Sequence, residues 1–361
     1  MNPVNAHDDP AIRTILTLDN LLDKTGQSKA TDPRDKVFAL LNIASDAPLM
    51  NFPANYNMPL EEVYTAVARR IISLEGDLAI LGFANYTAWE QNSLPSWVPD
   101  WRICAQNTND ACRILNGKYS QFGQFNTEWP YSATLKSKAS IQCNVSDIHL
   151  LRLRGLGRWE VKETIKPWDE SSELAQYYEL AHTHHPDGVY TASGEDVKFA
   201  LATTLYGDLF PALHNKRLSE KFKSVLYPRY FKKDVTEEEQ ENEKSRFFCQ
   251  FHLRRRFFIC GQQGLFGVGP EETRKGDVVC LLLGGRVPYV LRPLENGNYR
   301  LIGECYLHFM MDGLILITLQ SATVKSREEW ARDGYRFDRS DLLKWIEASE
   351  AIDQEWEVIL E

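Results

Sequence analysis

"GDVVCLLLGGRVPYVLRP", Gly276 to Pro293, contains two short apolar runs separated by a Gly-Gly pair, and it decides the fold predicted for the C-terminal part of the chain. Apolar residues without alternation over five or so positions are typical of a strand that is buried on both faces. Gly284-Gly285 is a hairpin turn signal, and Pro288 removes one backbone donor near the start of the second strand. The stretch therefore predicts a hairpin that forms a wall, with a further element covering its second face.

The same pattern continues on both sides of this hairpin. Short apolar runs are separated by Gly, Asn-Gly and Asp-Gly turn signals, which predicts consecutive antiparallel strands. The predicted strands are Arg256 to Cys260, Leu265 to Val268, Asp277 to Leu283, Pro288 to Arg292, Tyr299 to Tyr306 and Leu314 to Leu319. We expect them to form a compact antiparallel sheet or a small, partly closed β-barrel.

The preceding part of the chain has mainly helical periodicity. Apolar residues recur at three- and four-residue spacing, so that each predicted helix has one buried face. The predicted helices are Pro10 to Leu22, Thr31 to Ala44, Pro59 to Leu74, Glu173 to His182 and Ser193 to Leu205. Between them, polar and apolar residues alternate from Ser132 to Thr164, which predicts a central hairpin that turns near Ser146 and Asp147.

These elements predict an α+β fold, in which a helical N-terminal half packs on a C-terminal antiparallel sheet or small partly closed β-barrel, with a central hairpin. At 361 residues the chain exceeds the length of about 250 at which a single core usually stops growing. The expected regions are residues 1–130, mainly helical; 131–231, the hairpin plus helices; 232–253, a charged linker; 254–325, the antiparallel β domain; and 326–361, C-terminal helices.

Composition and charge exclude several classes of protein. The formal net charge of -9 and the pI of about 5.5 provide no broad positive field, so no nucleic-acid partner is expected. The seven cysteines form no Cys-x-x-Cys pair, which favours reduced thiols and a cytoplasmic location. No secretion signal and no apolar stretch near ~20 residues is present, so no membrane span is expected.

No recognised catalytic motif is present, so whether the protein is an enzyme stays open. There is no Gly-x-Ser-x-Gly elbow, no His-Glu-x-x-His helix and no phosphate-binding glycine loop, so no metal and no cofactor is predicted. If the protein is an enzyme, the candidate catalytic residues are Glu304, His308 and Asp100. Strand alternation places Glu304 and His308 on one face together with Tyr306, where a carboxylate and an imidazole can transfer a proton.

An aromatic connector, "LPSWVPDW" (Leu94 to Trp101), precedes the central region. Its two prolines lack amide donors, so it cannot be a regular helix or strand. The candidate ligand-binding residues are Trp97, Trp101, Tyr289, Arg286, Arg292 and Tyr306. The aromatic residues among them either line an aromatic pocket or pack as core where the two halves meet. A cavity of ~300 Å³ or more with convergent polar groups distinguishes the first arrangement from the second.

Three stretches carry a resemblance to a known family: "KATDPRDKVFALLNIASD" (29–46), "LPSWVPDW" (94–101) and residues 255–313, which begin "RRFFICGQQGLFGVGPEETRKGDVV". In this order they resemble fungal heterokaryon-incompatibility (HET) proteins. The first stretch looks like the family's sequence just downstream of the HET domain, and the third looks like its C-terminal sheet region. Only about 30 residues precede Thr31. The resemblance therefore implies that the HET domain itself, an effector thought to trigger cell death, is missing.

Two functions from different classes follow. The resemblance implies a recognition or regulatory protein related to heterokaryon incompatibility, without the effector domain and without an evident catalytic motif. The alternative is a recruited enzyme of a fungal secondary-metabolite pathway, a cofactor-free cyclase or isomerase that holds a hydrophobic polyketide or terpenoid by shape. The expected partner is accordingly a protein or a small hydrophobic ligand. A closed junction between the two halves favours the first function, and an apolar cavity favours the second.

Overall fold

The computed structural model describes residues 16–26, 28–84, 94–102, 131–135, 137–139, 141, 147–167, 174–210, 213–217, 255–314 and 356–361. Within these ranges the helices are α1 (Leu18–Lys24), α2 (Asp35–Leu41), α3 (Ala47–Met50), α4 (Leu60–Glu75), a 3-10 helix (Ala79–Phe83), α5 (Leu174–His184) and α6 (Val197–Leu205). The strands are β1 (Leu151–Thr164), β2 (Val189–Tyr190), β3 (Glu195–Asp196), β4 (Leu209–Phe210), β5 (Leu213–Arg217), β6 (Arg255–Cys260), β7 (Leu265–Pro270), β8 (Val278–Leu282), β9 (Tyr289–Pro293), β10 (Tyr299–Glu304), β11 (Tyr306–Leu307) and β12 (Trp356–Leu360).

The first four helices form the helical N-terminal part that the sequence predicts. In α4, the longest of them, Val63, Val67 and Ile71 recur at four-residue spacing and are buried, which is the pattern of an amphipathic helix on a core. The helix ends at Gly76, whose φ of +69° is the left-handed conformation that glycine adopts most readily. No helix of the described ranges is long and apolar enough to cross a membrane.

The hairpin predicted between Gly276 and Pro293 is formed by β8 and β9. The two strands are antiparallel, with Val278 opposite Leu291. All five residues of β8 and the first four of β9 are buried, so the prediction of a hairpin that is covered on both faces is confirmed.

The turn of this hairpin is covered by the helical half and by the segment after residue 131. The amide of Leu78 donates to the carbonyl of Gly284 at 3.0 Å, and the hydroxyl of Thr134 donates to the carbonyl of Gly285 at 2.5 Å. A Cβ on Gly284 would lie 2.6 Å from the backbone nitrogen of Ala139. Glycine is therefore required here by close packing as well as by its φ of +94°.

The long strand β1 organises the sheet. Its first part pairs with β12, its middle with β8 and its end with β6, in each case antiparallel. Five strand pairs close into a ring, namely β1–β8, β8–β9, β9–β10, β10–β12 and β12–β1. Outside the ring, the end of β1 pairs with β6, β6 pairs with β7, and β7 pairs with β11. The result is a partly closed barrel, and the predicted α+β class is confirmed.

A bulge allows β1 to pair with three other strands. The register shifts between Leu156 and Trp159, and Gly157 between them has a φ of +68°. A Cβ on Gly157 would lie 2.3 Å from the Trp159 ring, which is itself fully buried. Bulges bend and twist a strand locally, so this glycine allows β1 to leave the ring and pair with β6.

Three features differ from the sequence prediction or fall outside the described residues. The described residues between 131 and 141 contain a turn at 133–135 and no strand, so β1 does not form a central hairpin with them; its partners come from the C-terminal part. Residues 356–360, within the region predicted as C-terminal helices, form β12, because Val358 and Leu360 alternate into the core. The predicted strand after Leu314, the helices between 326 and 348, the linker 232–253 and the start of the first helix lie outside the described residues.

The aromatic connector joins the helical and sheet layers. The indole nitrogen of Trp97 donates to the carbonyl of His149 at 2.8 Å, and the guanidinium of Arg69 in α4 lies 5.3 Å from the Trp97 ring centroid. Trp101 makes an edge-to-face contact with Tyr64 of α4, with centroids 4.8 Å apart. Both tryptophans are buried, so this part of the connector packs as core.

One serine of the connector closes a gap in the ring. Strands β10 and β12 share a single bridge, Tyr299 with Leu360. Beside that bridge the hydroxyl of Ser96 accepts from the amide of Leu301 at 2.9 Å, and the amide of Ser96 donates to the carbonyl of Glu361 at 3.1 Å. The connector thus completes hydrogen bonding that a longer strand pair would otherwise supply.

Candidate functional site

A connected polar group among the described residues is centred on His308, directly after β11. Its Nε2 lies 2.8 Å from Glu195 Oε1, and its Nδ1 lies 2.9 Å from the Tyr306 hydroxyl. Ser193 donates to the same Glu195 oxygen at 2.5 Å. A carboxylate only accepts, so Nε2 carries the proton, and in the neutral ring Nδ1 accepts from the phenol. We call Ser193, Glu195, His308 and Tyr306 the His308 network.

Aromatic rings enclose this network. Tyr190 contacts His308 edge to face at 5.3 Å between centroids and lies 5.1 Å from His185. The Tyr190 hydroxyl accepts from the amide of Phe266 at 3.1 Å, and burial raises its pKa well above the usual value. Burial also lowers the pKa of His185. The second histidine is therefore favoured as neutral, and its Nε2 lies 3.0 Å from the carbonyl of Gly264.

Unusual backbone conformations lie next to the His308 network. Phe309 follows His308 and has a φ of +78°, and Asp208 has a φ of +55°. The neighbour of Asp208, Gly207, accepts a hydrogen bond from the hydroxyl of Tyr131, whose ring packs against Tyr306 at 6.0 Å. Left-handed non-glycine residues are held in place only where the surrounding packing demands them. The surrounding packing therefore fixes the backbone conformation next to the His308 network.

Glu304 and His308 have different neighbours, although the sequence predicts that both lie on one face of a strand. The strand is interrupted at Cys305, whose amide donates to the carbonyl of Pro288 at 2.9 Å, and after it the chain pairs with β7 instead of β9. This break ends the alternation on which the grouping depended. His308 takes Glu195 as its carboxylate neighbour.

The Glu304 carboxyl is buried beside Tyr289, which is its cross-strand neighbour in the β9–β10 pair. Its Oε2 has no hydrogen-bond partner among the described residues. Burial raises the pKa of Glu304 to about 8, against the opposing influence of the Arg255 guanidinium. The group is thus a largely protonated carboxylic acid at neutral pH.

The remaining predicted polar residues are engaged by side chains of the protein itself. Asp100 accepts two hydrogen bonds from Arg102, at 2.8 and 2.7 Å. Arg292 donates to both oxygens of Asp277, at 2.8 and 3.0 Å. Bidentate pairs of this kind fix both partners, so these residues stabilise the fold where they stand.

Arg286 and Tyr289 both face the segment before the 3-10 helix. Arg286 lies 3.5 Å from the carboxylate of Asp77, and the hydroxyl of Tyr289 donates to the carbonyl of Leu78 at 3.4 Å. The predicted site residues are therefore distributed over three places, which are the connector, the β8–β9 hairpin and the His308 network. The structure brings together Tyr306 and His308 among them.

A small pocket lies beside Trp101, and we call it the Trp101 pocket. Its lining includes Asp19, Leu22, Asp23, Ile80, Phe83 and Trp101. The space open to water-sized groups is about 10 Å³, which is close to the minimum for one water molecule. It is far below the ~300 Å³ typical of a small-molecule site. Among the described residues no three His, Cys, Asp or Glu side chains are grouped so that they could hold a metal ion.

Comparison with known proteins shows similarity to proteins of heterokaryon incompatibility. Residues 232–324 match the family model of the Het-6 beta-barrel domain, and their described part contains β6 to β11. The chain is also 22% identical to heterokaryon incompatibility protein 6, OR allele, of Neurospora crassa, over 80% of this chain and 50% of that protein. The chain is thus similar to heterokaryon-incompatibility (HET) proteins. It spans about half the length of that curated relative, and no solved structure matches it.

Sequence reasoning missed the members of the His308 network that are distant from His308 in the sequence. Glu195 is 113 residues from His308, and Ser193 and Glu195 fall in the segment read as the start of a helix. The helix begins at Val197, where the side chain of Asp196 caps it. The available signal is Asp196 as a helix cap, because a capping Asp leaves the residues before it, here Ser193 to Glu195, outside the helix.

Proposed function

We propose that this HET-related chain is a recognition or regulatory protein of heterokaryon incompatibility that acts by contact with a protein partner. The observation that carries the proposal is the match of residues 232–324 to the Het-6 beta-barrel domain, together with the similarity to heterokaryon incompatibility protein 6. The described part of this domain is continuous with the rest of the sheet through β1 and β12. The recognition surface would therefore be presented by a single rigid sheet.

The engagement of the predicted ligand contacts also supports this proposal. Arg292 and Asp100 form bidentate pairs within the protein, and Trp97 is covered by Arg69. Groups that are already saturated do not orient a substrate. The Trp101 pocket has room for about one water molecule, which is too small for a polyketide or terpenoid. Neither comparison supports the alternative of a recruited cyclase or isomerase.

The proposal is tested by expressing the chain in two Neurospora crassa strains, one with the OR allele and one with a different allele of the same gene. We expect a growth defect of the resulting heterokaryons in one strain and normal growth in the other. The matched control is the Gly267→Leu variant, because a Cβ at this position would lie 2.2 Å from Phe258 Cζ and the barrel cannot form unchanged. Equal growth in both strains, and equal to that of the control, would contradict the proposal.

We also propose that the protein acts in the cytoplasm. The support is that Cys260, Cys280 and Cys305 are free and buried in the sheet, where burial raises the pKa of each thiol. A protein whose core contains unpaired thiols is suited to a reducing compartment. A fluorescent fusion of the full chain would test this, and a signal confined to vesicles or to the cell surface would contradict it.

A further inference from the structure

We propose that Glu304 is a pH-sensitive switch between two parts of the sheet, which stay packed together while its carboxyl carries a proton and open locally when the carboxyl ionises. The first part is the ring, and the second is formed by β6, β7 and β11, which we call the arm. Glu304 is the last residue of β10, and the chain crosses from the ring to the arm directly after it. The inference goes beyond the proposed function, because it concerns the fold alone and needs no partner protein.

The backbone is weakly paired on both sides of this crossing. Before it, the register of β10 on β9 shifts between Leu301 and Gly303. After it, Cys305 lies between two strands, and its amide donates to the carbonyl of Pro288 at 2.9 Å. The strand that follows, β11, has two residues, both paired with β7. Short and irregular pairings open at a lower free energy than the long strands of a core, so this crossing can open while the rest of the fold stays intact.

The Glu304 carboxyl is enclosed where the crossing is packed. The residue is 5% exposed, and its Oε2 has no hydrogen-bond partner among the described residues. A Cβ on Gly303 would lie 2.8 Å from Pro270 Cγ, which shows that β7 packs closely on β10 here. A buried carboxyl with an unpaired oxygen is tolerated when it is neutral, whereas a carboxylate needs water or hydrogen bonds. Ionisation therefore favours a state in which the crossing has moved apart and water reaches Glu304.

The ionisable groups that face this carboxyl, among the described residues, come from three strands and from the crossing itself. They are Arg255 of β6, Tyr289 of β9, Cys280 of β8 opposite Tyr289, and Cys305. Strand β7 and the 3-10 helix, which also pack on β10, contain none. Burial raises the pKa of Tyr289, Cys280 and Cys305, so these three stay neutral, and Arg255 is a permanent cation. The charge that changes near neutral pH is therefore that of Glu304, whose pKa of about 8 supports this assignment.

The direction of the effect follows from where the proton is held. In the closed state burial keeps the pKa of Glu304 at about 8, whereas a hydrated carboxyl has the ordinary value of 4.5. The closed state is therefore fully favoured below pH 4.5 and loses this advantage as pH rises to about 8. Between about pH 6 and about pH 8, the equilibrium constant for opening should increase by at least about tenfold.

The test is hydrogen exchange of the full chain, measured by mass spectrometry at about pH 6 and about pH 8. The informative amides are those of Cys305 and His308, which donate to the carbonyls of Pro288 and Phe266, and helix α4 is the internal reference. Each rate is divided by the rate of the same segment in Glu304→Gln, because the chemical pH dependence of exchange cancels in this ratio. We expect the ratio at the crossing to rise at least about tenfold from the lower to the higher pH, and the ratio in α4 to rise less.

Two further variants complete the test. Glu304→Met, which has no polar group to bury, is a second variant that cannot ionise and should agree with Glu304→Gln. Glu357→Gln neutralises an exposed carboxylate on β12 that pairs with Arg152, and it should exchange as the wild type does at both pH values. A ratio at the crossing that stays constant with pH overturns the proposal, and so does an equal rise in α4, which would mean that the whole fold opens. Because no partner is needed, either failure leaves the allele test of the proposed function standing.

Discussion

Replacing Glu304 by Gln should change how the stability of the protein depends on pH. The carboxyl is buried, and its pKa of about 8 exceeds its ordinary value of 4.5 because burial disfavours the charged form. The folded state therefore keeps a proton that the unfolded state releases above pH 4.5. Stability must fall as pH rises from about 4.5 to about 8, because the unfolded state binds fewer protons in this window.

The magnitude follows from this difference in pKa. Each pKa unit corresponds to about 1.4 kcal/mol, so full ionisation lowers the free energy of unfolding by about 5 kcal/mol relative to a carboxyl with the ordinary value. Most of that effect develops between about pH 5 and about pH 8, where it amounts to roughly 3 to 4 kcal/mol. Gln has the same shape and does not ionise, so Glu304→Gln should lack this part of the pH dependence.

The assay is urea unfolding of the wild type and the variant at several pH values across this window, followed by tryptophan fluorescence. The informative quantity is the difference between the two free energies of unfolding, in which every other titrating group cancels. We expect Glu304→Gln to gain roughly 3 to 4 kcal/mol on the wild type between the two ends of the window. Glu357→Gln, at an exposed carboxylate, should show no such gain. A Glu304→Gln difference that stays constant with pH would refute the reasoning.

Five further substitutions test the packing and the polar groups. Gly267→Ala should lower the free energy of unfolding by roughly 3 kcal/mol in urea unfolding, because its Cβ would lie 2.2 Å from Phe258 Cζ between two paired strands; a neutral result would mean that the ring moves freely. Asp277→Asn leaves the buried Arg292 guanidinium without its carboxylate, so it should lower the free energy of unfolding by roughly 3 to 5 kcal/mol. The control is Glu160→Gln in a surface pair with Lys162, which should change the free energy of unfolding by at most about 1 kcal/mol. Glu195→Gln and Tyr306→Phe should each lower the free energy of unfolding by about 1 to 2 kcal/mol. A double-mutant cycle of the two should show a coupling energy through His308 of at least about 0.5 kcal/mol. Strictly additive effects on the free energy of unfolding would contradict the His308 network.

The sequence predicts the strands of the C-terminal part well because their signals are local. Apolar runs between Gly284-Gly285, Asn296-Gly297 and similar turns predict β6 to β10, and each lies within two residues of its predicted bounds. The prediction of β1 was less complete. Alternation up to Thr164 predicts a strand here, but it does not indicate that Gly157 is a bulge that bends one strand of 14 residues toward a third partner. Pairing of β1 with strands more than 90 residues away leaves no local trace.

The candidate site was predicted in part for the same reason. Tyr306 and His308 are two residues apart and were correctly placed near each other. Glu195 reaches His308 only through the tertiary fold, and nothing in the spacing of either residue indicates that contact. Glu304 was grouped with His308 on the assumption of an unbroken strand. The interruption at Cys305 depends on which neighbouring strand the chain meets there, and a single sequence does not specify that.

The single bridge between β10 and β12, supported by Ser96, has a consequence for biosynthesis. The ring needs a strand from residues 356–360 and a serine from near residue 96, with β10 between them in the sequence. While the ribosome is still making the protein, β8, β9 and β10 can associate, but the gap beside β10 stays unfilled. Closure must therefore wait until residues 356–360 have been synthesised, and until then the nascent polypeptide exposes the open edges on which chaperones act.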